Sequence, residues 1–159
     1  MTNIYPTNVP VGFQGTYRDF LDVRRDVSGA TRQVYNTMAV ADSASAGTTY
    51  GFVPFQPGCT VDYGSKLYTP DLDTATNVTW DFGYLYEDSA TAGAASSAAA
   101  FISAGSGQAA SLLVFNANSG MSWIAKGNGW LTAKLHAGPV TTPGTIEFRG
   151  AVAYENPLV

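Results

Sequence analysis

The chain has 159 residues, 45% of them hydrophobic and only 13% charged, against a usual charged share of roughly 25%. That length suits one domain able to bury about 70% of its unfolded surface without disulfide or metal staples. The net charge of −4 is uneven: Arg18, Arg24, Arg25 and Arg32 against Asp19, Asp22 and Asp26 leave +1 in residues 1–33, so residues 34–159 carry −5, and an acidic body excludes the basic stripe that a nucleic-acid groove needs.

So lean a charge supply weakens the electrostatic brake on association and argues for a life within an assembly. Cys59 is the single cysteine, which rules out a disulfide framework or a thiolate metal cage within one chain. The start, MTNIYPTNVPVG, lacks the charged and apolar regions of a secretory signal. No apolar run reaches the 18 or so residues of a membrane span. The expectation is a chain made in a reducing cytoplasm, with no membrane partner and no nucleic-acid partner.

Residues 1–17 read as an extended arm. Pro6 and Pro10 block regular pairing, yet Ile4, Tyr5, Val9, Val11, Phe13 and Tyr17 are apolar, which a solvated tail seldom is. Such an arm docks on its own body or on a neighbour. Residues 18–33 mix charge with Phe20, Leu21, Val23 and Val27, and both helical spacing and strand alternation fit them. The expected division is a docking segment over 1–33 and a β domain over 34–159.

From residue 34 onward turn signals recur every 8–12 residues, the punctuation of sandwiches and barrels. Candidate strands are 34–40, 48–55 and 59–68, the last interrupted by Gly64. Residues 77–86 give the clearest strand. Val78, Trp80, Phe82, Tyr84 and Tyr86 fall on one face, with Asn77, Thr79, Asp81, Gly83 and Leu85 on the other. The Ala/Ser/Gly-rich stretch 89–111 reads as a crossover loop, with one or two helical turns over 98–103 seating Phe101 and Ile102 at the core edge. Leu112–Phe115, continuously apolar, reads as a buried central strand. Residues 122–125 and 129–137 read as a hairpin closed by Asn128-Gly129, with Leu131, Ala133 and Leu135 inward and Trp130, Thr132, Lys134 and His136 outward. In the last strand, 145–154, Ile146, Phe148, Gly150 and Val152 alternate with Glu147 and Arg149, which stand side by side on the outer face. About eight strands without a sequence repeat predict an all-β, two-sheet antiparallel sandwich. The long 87–111 connection favours its jelly-roll variant.

Little in the chain carries chemistry. His136 is the one histidine, and its place on the polar face of a strand suits a solvated or interface residue. Cys59 suits a small buried thiol; a catalytic pairing with His136 is the sharper alternative. Asp71-Leu72-Asp73 and Glu87-Asp88 would serve as a cation site or as paired acids, but Pro70 makes turn chemistry the simpler reading of the first. Trp123, Trp130 and Tyr84 would make a sugar-stacking platform if exposed, and core or interface packing if not. Asn77-Val78-Thr79 matches the glycosylation sequon, which without a secretory signal marks only a strand start. The residues therefore predict no enzyme, no cofactor and no bound metal.

The run GSKLYTPDLDTATNVTWDFGYLYEDSA (64–90), the Ala-rich stretch carrying Phe101, and the closing WLTAKLHAGPVTTPGTIEFRGAVAYE (130–155) resemble small virion proteins of tailed bacteriophages, similar to capsid decoration, or cement, proteins. The resemblance spans about residues 60–155. It implies a sandwich or jelly-roll module, often a homotrimer, on the outer head surface in contact with the major capsid protein, with no catalytic residues. Tyr5, Val9, Phe13, Tyr17, Arg24, Arg25, Trp130 and His136 are then the interface candidates. A carbohydrate- or receptor-binding module of a tail or head fibre is the alternative from another class.

Overall fold

The computed structural model describes residues 3–4, 31–73, 78–107, 111–117 and 123–154. In chain order the elements are β1 (Asn3–Ile4), β2 (Thr31–Val40), β3 (Thr49–Phe55), β4 (Cys59–Val61), β5 (Lys66–Thr69), β6 (Thr79–Tyr86), α1 (Ser89–Ala92), β7 (Ser97–Ser106), β8 (Ser111–Val114), β9 (Gly129–Ala137) and β10 (Gly144–Tyr154). They form two sheets, ordered β1-β3-β9-β6-β7 and β2-β10-β5-β8, with β4 joined to the far end of β10. Every pairing is antiparallel except the two-residue parallel pair of β1 with β3.

Leaving aside the short β1 and β4, the first remaining strand pairs with the last (β2 with β10), the second with the seventh (β3 with β9), the third with the sixth (β5 with β8) and the fourth with the fifth (β6 with β7). The chain is thus one long two-stranded ribbon, turned back on itself between β6 and β7. Coiling that ribbon brings β5 beside β10 and β6 beside β9, which divides the strands between two sheets. This is the jelly roll, so the sandwich and its favoured variant both stand. β2 starts at Thr31, so the last residues of the 1–33 segment lie within the sheet.

The reason given for the jelly roll was mistaken. Residues 87–111 are no crossover, because they hold strand β7, which lies beside β6 in the same sheet. Helical turns do not form at 98–103. The helical preference of alanine is worth only tenths of a kcal/mol per residue, and burying Phe101 and Ile102 completely outweighs it. The small residues have another use. A Cβ on Gly83 would lie 2.0 Å from the Ser97 carbonyl oxygen and 2.6 Å from the Ala98 carbonyl carbon, so β7 runs directly against the β6 backbone. The register shifts there, between Phe82↔Ile102 and Tyr84↔Ser97.

The helix lies earlier, in the turn after β6. Asp88 caps α1, accepting from the Ala90 and Thr91 amides and from the Thr91 hydroxyl, and Gly93 closes it at φ +59°. The Thr91 hydroxyl first, then its amide, hold the Asp88 carboxyl below its ordinary value of 3.8. A depressed carboxyl stabilises the folded state above the ordinary value and ceases to do so as pH falls through the lowered one. The Ala90 and Thr91 amide resonances should therefore move together in an NMR titration below pH 3.8. An Asp88→Asn variant should lack that step.

Two further expectations change. Leu112–Val114 lies in β8, at the edge of its sheet, with Leu112 52% and Val114 55% exposed. An uninterrupted apolar run carries no periodicity by which to tell a central strand from an edge. Residues 123–126 are not the partner of β9 either. Ala125 donates to the Cys59 carbonyl and accepts from the Gly58 amide, both at 2.8 Å. Gly129 serves close approach rather than a primed turn, because a Cβ there would lie 2.3 Å from the Leu85 carbonyl oxygen and 2.6 Å from the Phe55 ring.

Phe82 sits at the middle of the core. It stacks on Phe148 of the facing sheet at 5.1 Å and meets Phe101 at 5.8 Å, Phe115 at 6.0 Å and Phe52 at 6.3 Å. Asn36 closes one end of the sandwich, donating at 2.6 Å to the Phe52 carbonyl and so linking β2 to β3.

Candidate functional site

The structure scatters the catalytic candidates. Cys59 is fully buried on β4, whereas His136 projects from β9 in the other sheet. His136 Nδ1 stands 2.9 Å from Asp81 Oδ2, with the His136 side chain 51% exposed and that of Asp81 8%. The other carboxylate oxygen of Asp81 accepts from the Ala104 amide at 2.9 Å. Asp81 thereby ties β9 and β7 to β6, and its two oxygens are engaged in holding strands together. Asp71 Oδ1 accepts from the Asp73 amide at 3.2 Å, the turn chemistry expected after Pro70. Among the described residues no three His, Cys, Asp or Glu side chains gather as metal ligands.

The aromatic candidates separate. Trp123 is buried and stacks on Tyr84 at 4.8 Å, with Phe55 and Phe101 edge-on at 5.1 and 5.6 Å, so both Trp123 and Tyr84 belong to the core assembly. Trp130 is half-buried, opposite Leu85 on one side and Pro54 on the other. Tyr5, Val9, Phe13, Tyr17, Arg24 and Arg25 lie outside the described residues.

The face with interface character is the outer surface of the β2-β10-β5-β8 sheet. The ladders set two rows across it, Tyr35–Arg149–Lys66–Val114 and Thr37–Glu147–Tyr68–Leu112. Tyr35 is 57% exposed, and with Leu112 and Val114 it makes three of the five exposed large hydrophobic residues among the described residues. They stand at opposite edges of the sheet: Tyr35 on β2, Leu112 and Val114 on β8. Between them Arg149 donates to Glu147 at 2.8 and 3.2 Å, with its guanidinium carbon 5.2 Å from the centre of the Tyr35 ring. Its hydrogen bond to Glu147 raises the guanidinium pKa further, so the charge over Tyr35 is permanent. Aromatic and arginine side chains are enriched at protein–protein contact surfaces. Sequence reasoning found Glu147 and Arg149 on this face and missed Tyr35, Leu112 and Val114.

No protein-family profile and no curated protein matches the sequence. Two solved assemblies contain chains of similar structure. One is the capsid of Ralstonia phage GP4, with a TM-score of 0.62 and 18% identity over 80% of this chain and 87% of that chain. The other is the cyanophage Pam1 capsid asymmetric unit, with a TM-score of 0.59 and 20% identity over 80% of this chain and 86% of that one. The fold is one that phage capsids contain. Because 80% of 159 residues is matched to 87% of the Ralstonia phage chain, that chain is itself about 146 residues long.

Proposed function

We propose that this chain is a bacteriophage virion structural protein of the decoration, or cement, class. In this reading it is made in the host cytoplasm and binds the outer surface of the head. There it contacts the major capsid protein as a homotrimer and stabilises the shell without catalysing a reaction. The observation that carries the reading is the likeness, over 80% of this chain, to chains of two phage capsids. The sequence resemblance over residues 60–155 supports it, as does the apolar and aromatic character of the outer β2-β10-β5-β8 face. The alternative, a carbohydrate- or receptor-binding module, retains only Trp130 of its three aromatic candidates, since Tyr84 and Trp123 are packed with the core.

The test is binding to purified heads that lack the protein. Added protein should co-sediment to a saturating, symmetry-related number of copies and raise the temperature at which heads open. Absence of binding, or binding with no gain in head stability, contradicts the cement reading. Deleting residues 2–17 should weaken head binding or oligomer stability and leave the far-UV circular dichroism of the body unchanged. Undiminished binding would remove the arm from this function.

A further inference from the structure

We propose that copies of this chain join head to tail through one sheet, with the β8 edge of one copy pairing to the β2 edge of the next. The proposal rests on the homotrimer in the reading above and specifies the surface that builds it.

The sandwich has four edge strands, and they are not equally protected. β3 carries Pro54 and a register shift, has its Phe52 carbonyl taken by Asn36, and is covered at Thr49–Tyr50 by β1. β7 has register shifts against β6, and Asn116 both accepts from the Ser103 amide at 3.0 Å and donates to its carbonyl at 3.5 Å. Prolines, bulges and side-chain caps of this kind keep an open edge from templating another strand. β8, Ser-Leu-Leu-Val, has no proline, charge or register shift. β2 carries one such cap among its described side chains, Asn36 Oδ1 accepting from the Thr37 amide at 2.9 Å. Among the described residues no strand pairs with the outer edge of either.

These two less guarded edges are opposite ends of the same sheet, and three exposed apolar side chains, Tyr35, Leu112 and Val114, sit at those ends. The three pairings between them are antiparallel, so β2 and β8 run in opposite directions. Rotating a copy about an axis along the strands therefore brings β8 beside the next copy's β2 in the antiparallel sense. Tyr35 would then meet Leu112 and Val114 across the join, covering side chains that a single copy leaves in water. A head-to-tail contact of this kind is heterologous, and it closes into a trimeric ring when successive copies are turned by a third of a circle. Pairing β8 with a second β8 would leave Tyr35 uncovered.

Mass in solution and cross-linking test this with the full chain. The wild-type protein should run as three times 16.7 kDa. A Leu112→Lys, Val114→Lys variant should fall to the mass of one copy with an unchanged far-UV circular dichroism, because both positions are exposed in a single copy, and its melting temperature should lose the concentration dependence that the wild-type trimer shows. In a Cys59→Ala background, Tyr35→Cys protein mixed with Val114→Cys protein should form mixed dimers with a short bis-maleimide. Neither variant alone should cross-link. Homodimers of Val114→Cys, an intact trimer in the lysine variant, or a monomeric wild type at tens of micromolar would each overturn the proposal. Head binding is measured separately, so wild-type protein that binds heads while any of these outcomes holds sinks the ring and leaves the cement function standing.

Discussion

Gly83→Ala should prevent the protein from reaching its native sandwich, or lower its melting temperature by about 6–12 °C for a loss of about 3 kcal/mol. The cause is steric and lies in the backbone. The new methyl would fall 2.0 Å from the Ser97 carbonyl oxygen and 2.6 Å from the Ala98 carbonyl carbon, and neither atom can turn aside as a side chain would. β7 would have to leave β6 at the Tyr84↔Ser97 pair, where the two-stranded ribbon folds back. Gly47 provides the control. Its φ of +92° makes alanine unfavourable there, but nothing lies within 4 Å of the added carbon. Gly47→Ala should cost only the left-handed backbone penalty of about 1–2 kcal/mol. Thermal unfolding of the two variants beside wild type separates crowding from backbone conformation, and equal losses would refute the close approach of β7 to Gly83.

Phe82→Ala should cost about 3–5 kcal/mol, a fall in melting temperature of about 6–20 °C. Phe82 is fully buried and is the ring through which four others meet: Phe52 and Phe101 of its own sheet, Phe148 of the facing sheet and Phe115 beyond β8. Its removal leaves a cavity that backbone in two sheets holds open. Phe82→Leu should recover more than half of the loss, because most of the volume returns. Chemical denaturation at constant slope reads both values. A loss under about 1.5 kcal/mol for the alanine variant would mean that the sheets do not meet at this ring.

What could be read without coordinates follows from where side-chain alternation is clean. In β6, β9 and β10 one face is aromatic or aliphatic and the other polar, and there the strands, their inward residues and the Glu147–Arg149 pair were legible. The eight-strand jelly roll was legible as a count of strands and turns. It was not legible as a pairing scheme, because antiparallel partners such as β2 and β10 lie a hundred residues apart and leave no local signal. The misreadings share a cause. At the start of β7 the residues are small and the backbone of Ser97 and Ala98 passes close to Gly83, and small residues look helical or structureless in isolation. At 112–114 every residue is apolar, and nothing in an unbroken run says that the face of Leu112 and Val114 meets water. Asn128-Gly129 imitates a hairpin signal, yet Gly129 is required by the Leu85 carbonyl and the Phe55 ring. The outer positions of Trp130 and His136 were legible from β9. The Asp81 partner of His136 was not, because the pair spans two strands 55 residues apart.

The most direct measurement is a cryo-electron reconstruction of the phage particle to which this chain belongs. The account predicts this jelly roll in clusters of three on the outside of the head, seated on the shell protein, with β8 of one copy beside β2 of the next. A head whose outer surface lacks it, with the chain found in the tail or absent from the particle, would contradict the account.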